Sequence, residues 1–202
     1  MALNTQMNKT MLETQQLTCE RNHRILFQDL SISLNKGEVL QVDGANGAGK
    51  STLLRILAGL YEDFEGEVSW QVEDYPVYIG HKVGVKDAMS ARENLMWLAD
   101  LQASVVSQGN IDSALARVSL AGYEDVLCGE MSEGQRKRVN LARLFLLHNP
   151  VWILDEPFSA IDKEGVACIT DRINEHLSDA GTVILTSHQT VDFPNIHSID
   201  LT

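Results

Sequence analysis

Residues 44–52, Gly44-Ala45-Asn46-Gly47-Ala48-Gly49-Lys50-Ser51-Thr52, fit the pattern G-x-x-x-x-G-K-[ST]. Its glycines let successive backbone N–H groups turn inward onto phosphate oxygens, and the following helix adds the positive end of its dipole. Lys50 is then placed to neutralise the β- and γ-phosphates, and Ser51 to offer its hydroxyl to Mg²⁺. We predict that this loop, called here the phosphate loop, binds the triphosphate of a nucleotide.

The residues on either side of the phosphate loop support this prediction. Val39-Leu40-Gln41-Val42 is a short apolar run that leads into the loop as a strand, and residues 52–60 are typical of a helix that Gly59 ends. A chance glycine turn would lack this order of strand, loop and helix. The flanks therefore favour a functional loop over a structural turn.

Two further apolar runs predict a parallel sheet. Val151-Trp152-Ile153-Leu154 and Thr182-Val183-Ile184-Leu185 are unbroken, as expected of parallel strands that helices cover on both faces. Short strands are also predicted near residues 66–70 and 77–79, and two β-type stretches lie between residues 17 and 42. The sequence predicts an α/β fold of the phosphate-loop NTPase type, with a mainly parallel sheet and an antiparallel portion.

A helical segment interrupts this pattern at residues 84–130. A capping box at Ser90 opens one helix of the segment, and a second helix is predicted to begin at Asp112. We interpret residues 11–202 as one domain with the helical segment inserted. Residues 1–10 are expected to be a disordered leader or an artefact of the start site.

A second capping box follows the helical segment. Ser132-Glu133-Gly134-Gln135 opens a longer helix that ends before Pro150 and directs Val139, Ala142 and Phe145-Leu146 inward. Its first turn lies where a helix dipole attracts phosphate.

Polar residues follow two of the predicted strands. Asp155 and Glu156 come directly after the first apolar run, and Ser187-His188 follows the second. Parallel sheets bind their ligands at the carboxyl ends of strands. Asp155 is a candidate Mg²⁺ ligand and Glu156 a candidate base for the attacking water, while the imidazole of His188 could reach the γ-phosphate. An acidic turn with an ordinary histidine is the alternative.

These motifs resemble the ATP-binding cassette (ABC) family over nearly the whole chain. Met131-Ser132-Glu133-Gly134-Gln135 stands where that family has its LSGGQ signature, and Ser159-Ala160-Ile161-Asp162 resembles its D-loop. The resemblance implies that ATP with Mg²⁺ is the substrate, and that Ser132, Gly134 and Gln135 contact the ATP of a second copy. Two copies would then enclose two ATP molecules head to tail, with Lys50, Glu156 and His188 acting in hydrolysis.

Two positions depart from the family pattern. Its adenine-stacking aromatic falls near Arg21, so the base would stack on Arg21 or on His23, or only weakly. At the switch before the helical segment, His81 replaces the usual glutamine. We expect His81 either to bind Mg²⁺ or water, or to be a neutral packing residue.

The departures resemble one subfamily, the ATP-binding subunit of the bacterial cytochrome c maturation system. The supporting stretches are residues 19–27, Ile79-Gly80-His81, residues 120–126 and residues 151–162. The resemblance implies an integral membrane subunit as partner, a peripheral position on the cytoplasmic face of the inner membrane, and a haem-handling step driven by ATP.

Composition narrows the remaining alternatives. The net charge of −12 over 202 residues argues against binding to nucleic acid or to an anionic lipid surface. No stretch approaches the roughly 20 apolar residues that span a bilayer, so we expect other chains to hold the protein at a membrane. Three dispersed cysteines indicate buried, reduced thiols.

Three functional hypotheses remain on the sequence alone. A transport ATPase would offer its helical segment to a membrane subunit, and Trp97 could line that groove or pack in the core. A soluble cassette that acts on nucleic acid or ribosomes would need a basic surface, which this sequence does not indicate. Its one basic run, Arg136-Lys137-Arg138, is interpreted as a solvated helix face. A nucleotide sensor without turnover would have no need of Glu156.

Overall fold

The computed structural model describes residues 9–72, 75–102 and 104–202. Most of the predicted leader, residues 1–8, lies outside this part of the chain. Thr10, which was included in that leader, already begins a strand and pairs with Asn35.

An antiparallel sheet forms around the first strand. β1 (Thr10–Arg21) pairs with β2 (Arg24–Leu30), β3 (Ser33–Asn35) and β5 (Glu65–Trp70). Three strands, β1, β2 and β3, precede β4, where the sequence predicts two β-type stretches in all. β3 is too short to be recognised, because it has only three residues, and β1 begins before the predicted stretch, among polar residues. The antiparallel portion itself is confirmed.

A five-stranded parallel sheet carries the phosphate loop. Its order is β6 (Val77–Ile79), β7 (Val151–Asp155), β8 (Thr182–Thr186), β4 (Val39–Asp43) and β9 (Ile196–Asp200). A hydrophobic cluster covers each face of this sheet. Ile153 packs in the cluster shared with the antiparallel sheet, and its neighbour Trp152 packs in the cluster shared with the helical segment. Alternating side chains point to opposite faces of a strand, so an unbroken apolar run is required here.

The helices are α1 (Lys50–Leu57), α2 (Ala91–Asp100), α3 (Gln108–Arg117), α4 (Glu133–Leu141) and α5 (Lys163–Ser178). Ser90 and Glu93 form the predicted capping box of α2. The predicted start of the second helix was wrong: α3 begins four residues before Asp112, because Ser107 and Asn110 form their own capping box.

The helix after Ser132 is shorter than predicted. α4 ends at Leu141 and continues as a 3-10 turn at Ala142–Phe145, in which Ala142 is buried but Phe145 only partly. Together these elements confirm an α/β fold with a mainly parallel sheet, an antiparallel portion and helices inserted between β6 and β7.

The three cysteines differ in burial. Cys19 and Cys128 are buried as predicted, whereas Cys168 on α5 is only partly buried. Among the described helices, none is both long and apolar enough to cross a membrane.

Candidate functional site

The phosphate loop turns sharply between β4 and α1. Gly49 precedes the helix with φ +106°, a conformation that glycine adopts without steric cost. A Cβ atom there would lie 2.9 Å from Leu26 Cβ, so the β1–β2 hairpin is seated directly on the loop. The Lys50 ammonium donates to the carbonyl oxygens of Gly44 at 2.6 Å and Ala45 at 3.2 Å, which keeps it over the loop.

The acidic pair stands at the end of β7, beside the end of β8. Asp155 is 2% exposed, and its Oδ1 accepts the Thr186 hydroxyl at 2.8 Å. The same hydroxyl oxygen accepts the Glu156 N–H at 2.9 Å. Glu156 has φ +52°, an uncommon conformation for a residue with a side chain. Thr186 therefore fixes the backbone at the point where the two carboxylates diverge.

His188 faces the second of these carboxylates. Its Nε2 lies 3.5 Å from Glu156 Oε1, and its backbone N–H donates to Oε2 at 3.3 Å. Glu156 Oε1 is buried and has no hydrogen-bond partner within the described part of the chain. This carboxylate oxygen therefore keeps unused acceptor capacity.

One cavity of about 530 Å³ joins these groups. Its lining comes from the β1–β2 hairpin, the phosphate loop, the acidic pair and two histidines. The lining residues are Arg21, Asn22, Arg24, Leu26, Asn46, Gly47, Gly49, Lys50, Ser51, Thr52, His81, Asp155, Glu156 and His188. Gly44, Ala45 and Ala48 support the loop without lining the cavity. His81 is exposed, so its alternative role as a packing residue is not supported.

The hairpin supplies the end of the cavity away from the acidic pair. Arg21 and Arg24 are direct cross-strand partners, and Leu26 lies on the same face of β2 as Arg24. His23 is at the tip of the turn, with a fully exposed side chain that does not line the cavity. Of the two predicted base-stacking candidates, the structure places only Arg21 in the cavity. Arg24 was not predicted, although its position two residues before Leu26 indicates the same face.

The signature segment lies outside this cavity. Ser132 and Gln135 form the predicted capping box, with Gln135 N–H to Ser132 Oγ at 3.2 Å and Ser132 N–H to Gln135 Oε1 at 2.9 Å. Gly134 packs on the D-loop, where a Cβ atom would lie 2.7 Å from the Ala160 carbonyl oxygen. The start of α4 at Ser132 is exposed and is not part of the lining of its own chain's cavity.

The D-loop connects the acidic pair to α5. Ser159 donates its hydroxyl to the Glu156 carbonyl at 2.9 Å, and Asp162 caps α5 by accepting the Gly165 N–H at 2.8 Å. That hydrogen bond, followed by the hydrogen bond and the positive charge of Arg138, holds the pKa of Asp162 below its ordinary value. The D-loop is thus fixed at both ends by its own chain.

Tyr78 on β6 is close to the acidic pair. Burial, and then the negative charge of Asp155, raise the pKa of Tyr78 to about 12, against the opposing effect of Arg55. The phenol consequently remains a neutral donor at physiological pH.

Lys137 and Trp97 are both withdrawn from solvent to some degree. Lys137 is not part of a solvated helix face, because its side chain is only 2% exposed. Trp97 is half-buried and belongs to neither core cluster of the described residues; the Lys86 ammonium lies 4.3 Å from the centre of its ring.

The oxygen donors at the site fit a magnesium ion that arrives with a nucleotide. Ser51 supplies a hydroxyl and Asp155 a carboxylate, both in the cavity lining. No group of three or more His, Cys, Asp or Glu side chains within residues 9–72, 75–102 and 104–202 could hold a metal on its own. Mg²⁺ commonly takes one or two protein oxygens and completes its shell with phosphate oxygens and water.

Comparisons with known proteins define the class of this chain. A family model described as ABC transporter matches residues 27–159. Among solved structures, an ATP-binding subunit of an ABC transporter superposes with TM-score 0.79 at 23% identity, covering 89% of this chain and 80% of that one. The dimeric ATP-binding cassette MJ0796, bound to ADP and Pi, gives TM-score 0.78 at 20% identity, covering 89% and 88%. The fold and the family match define an ABC ATPase.

Curated relatives give the particular family. The cytochrome c biogenesis ATP-binding export protein CcmA of Saccharophagus degradans is 45% identical over 92% of this chain and 90% of its own length. CcmA of Vibrio cholerae is 44% identical over 95% and 98%, respectively. The chain belongs to this CcmA family of ABC ATPases.

Proposed function

We propose that the chain binds MgATP in the cavity described above and hydrolyses it to drive an export step of cytochrome c biogenesis. The observation that carries the proposal is the convergence of Lys50, Ser51, Asp155, Glu156 and His188 on one cavity. This set contains the phosphate cradle, the metal donors and a carboxylate base that in-line phosphoryl transfer to water requires.

The phosphate loop holds the triphosphate in this proposal. Backbone N–H groups of residues 44–52 and the first turn of α1 would contact the phosphate oxygens, and Lys50 would move from the Gly44 and Ala45 carbonyls to the β- and γ-phosphates. Mg²⁺ held by Ser51 and Asp155 supplies neutralisation of the negative charge on the β- and γ-phosphate oxygens when it is bound.

Glu156 accepts the proton of the attacking water. The Glu156 side chain lines the cavity beside His188, whose imidazole would contact the γ-phosphate and orient the carboxylate. His81, which is exposed in the same lining, is a candidate second contact to the γ-phosphate or to a metal-bound water. Thr186 keeps the acidic pair in place.

The adenine base of ATP lies against the β1–β2 hairpin. Arg21, Arg24 and Leu26 offer two guanidinium planes and an apolar contact in place of an aromatic ring. Like charges in direct cross-strand positions are unfavourable, so this arginine pair is more readily explained by a ligand than by hairpin stability.

A second copy of the chain completes each site. The capped start of α4 at Ser132, Gly134 and Gln135 is exposed and separate from its own cavity, as expected if it contacts the γ-phosphate of ATP bound to the other copy. The same geometry would place the D-loop at the interface between the two copies.

The membrane partner is proposed from the family. An integral membrane subunit would hold the chain at the cytoplasmic face of the inner membrane, and the step driven by ATP would be either haem export or release of a haem chaperone across that membrane. Action on nucleic acid is not favoured, because the net charge is −12 and Lys137 is withdrawn from the basic stretch of α4.

One substitution tests the core of this proposal. Glu156→Gln keeps the size of the side chain but removes the base, so steady-state ATP hydrolysis is expected to fall on the order of a hundredfold or more while ATP still binds. Turnover at the normal rate would contradict the assignment. Purification of the tagged chain from detergent extracts would identify the membrane partner, and recovery of ribosomes instead would favour the alternative function.

A further inference from the structure

Asn94 on α2 is a buried polar side chain that holds one turn of the chain. It is 0% exposed, and its amide meets the turn before α2, which consists of residues 86–90. Its Oδ1 accepts the Lys86 N–H at 2.7 Å, and its Nδ2 lies 3.0 Å from the Lys86 carbonyl oxygen. The same Nδ2 lies 3.2 Å from the Met89 carbonyl oxygen and 2.9 Å from that of Ser90. A buried amide is costly without partners, so Asn94 and the turn fix each other.

The turn before α2 also contacts the residues just ahead of the signature segment. The Met89 carbonyl accepts the Cys128 N–H at 2.9 Å, and the Asp87 carbonyl accepts the Gly129 N–H at 3.0 Å. Asn94 reaches the same place, with its Nδ2 at 3.3 Å from Cys128 Sγ. The approach at Gly129 is tight, because an added Cβ atom there would lie 3.1 Å from the Asp87 carbonyl oxygen. The chain is therefore seated on this turn immediately before the signature segment begins.

A second contact holds the chain just after the signature segment (residues 131–135). Arg136 Nη1 lies 3.2 Å from Asp87 Oδ1. Both side chains reach solvent, and an ion pair of this kind contributes little by itself. Its place is nevertheless informative, because Asp87 already accepts the Gly129 N–H. One residue of the turn thus contacts both flanks of the segment that would bind the ATP of a second copy.

We propose that Asn94 is a positioning residue for ATP hydrolysis: through the turn before α2, it sets the place of the signature segment that contacts the ATP of a second copy. This inference rests on the proposed pairing of two copies. A group that contacts a reacting phosphate must be accurately placed, since a misplacement of about 1 Å can cost about a hundredfold in rate. Asn94 does not line the cavity, so its replacement should leave nucleotide binding by its own chain intact.

Two substitutions disturb this arrangement from opposite sides. Asn94→Asp keeps one acceptor oxygen but places a second oxygen against the carbonyl groups of the turn, which should open it. Gly129→Ala leaves Asn94 unchanged and uses its Cβ atom to push the chain away from Asp87. Gly109→Ala is the matched control in the same helical segment, because its Cβ would make only an ordinary contact, 3.9 Å from Ser107 Oγ.

Each substitution is made in the full-length Glu156→Gln chain, which should form the ATP-bound pair. Sedimentation equilibrium with MgATP measures the dissociation constant of the dimer, at a temperature at which circular dichroism shows each variant to be folded. Asn94→Asp and Gly129→Ala should raise this constant about tenfold, and Gly109→Ala should leave it unchanged. MgADP lacks the γ-phosphate, so it should bind every variant with the affinity of the parent chain. With Glu156 intact, kcat should fall by a similar factor in the first two variants.

A folded chain with either Asn94→Asp or Gly129→Ala that dimerises normally would overturn the inference. Equal weakening of MgADP binding would also overturn it, because that result indicates a general loss of structure. If Asn94→Asp does not fold, Gly129→Ala decides the question. The parent Glu156→Gln chain separates the two levels of the proposal. If the parent stays monomeric with MgATP, the proposed pairing fails and the role of Asn94 with it, whereas a dimeric parent with unaffected variants removes only the role of Asn94.

Discussion

Thr186 donates its hydroxyl to Asp155 at 2.8 Å, across the ends of two adjacent parallel strands. Both side chains are buried, and the same hydroxyl oxygen accepts the N–H of Glu156. One side chain from β8 thereby fixes both members of the acidic pair on β7. This arrangement explains how Glu156 is held with positive φ, since the backbone hydrogen bond compensates part of the conformational cost.

Thr186→Val is expected to reduce both stability and hydrolysis. The substitution keeps the shape but leaves the Glu156 N–H without its acceptor, which costs about 1–3 kcal/mol of unfolding free energy. The looser acidic pair should lower kcat about tenfold. Thr182→Val is the matched control at the start of the same strand. It removes the bond from Thr182 Oγ1 to the Asn35 carbonyl, so it should reduce stability but leave kcat unchanged.

Replacement of Arg24 tests how the nucleotide base is held. Arg24→Met should weaken ATP binding about tenfold, because loss of a stacking surface costs about 1–3 kcal/mol. Binding of inorganic tripolyphosphate should not change, and Arg24→Tyr should restore ATP affinity. Equilibrium titrations with both ligands check this, with His23→Ala as a control in the same turn. An equal loss of affinity for ATP and for tripolyphosphate would mean that Arg24 contacts phosphate and not the nucleotide base.

Gly49 and Gly47 provide a matched pair within the phosphate loop. Both have positive φ, but an added Cβ at Gly49 meets Leu26 at 2.9 Å, whereas at Gly47 it meets no described atom within 4 Å. Gly47→Ala should cost roughly 1–2 kcal/mol from backbone conformation, and Gly49→Ala about 1–3 kcal/mol more from the steric clash. Denaturant unfolding measures both. Equal costs would show that the hairpin does not press on the loop as described.

His176 should make stability depend on pH. Its ring stacks on Trp152 with centroids 3.7 Å apart, and burial, with Arg172, lowers its pKa from 6.5 to about 4. The unfolded chain therefore binds more protons between pH 4 and 6.5, so this stabilisation is complete above pH 6.5 and is lost as the pH falls toward 4. His176→Phe keeps a stacked ring but removes this titration. The difference in unfolding free energy between the two chains should change by up to about 3 kcal/mol across that window; a constant difference would contradict the assignment.

Much of the fold could be predicted because its pattern is local. The phosphate loop, the apolar strands and the capping boxes at Ser90 and Ser132 are each contained in a few consecutive residues. The acidic pair and His188 could be placed near the loop because the carboxyl ends of parallel strands meet at one edge of the sheet. These are the positions that the structure brings together in one cavity.

The missed residues depend on contacts between distant segments. Thr186 is part of an apolar run and is indistinguishable from a core threonine until β8 is aligned beside β7. Lys137 is surrounded by arginines in sequence, and only the folded structure reveals that it is buried. Arg24 lines the cavity because the hairpin register pairs it with Arg21. β9 has too few alternating apolar residues to be recognised as a strand.

In the proposed dimer, two copies enclose ATP between the phosphate loop of one and the signature segment of the other. Light scattering of the Glu156→Gln chain tests it directly, because this variant should trap bound ATP. With MgATP the molar mass should double, and the double variant Glu156→Gln, Ser132→Arg should remain monomeric although it still binds ATP. A Glu156→Gln chain that stays monomeric when saturated with MgATP, or a double variant with Ser132→Arg that dimerises normally, would contradict this head-to-tail dimer.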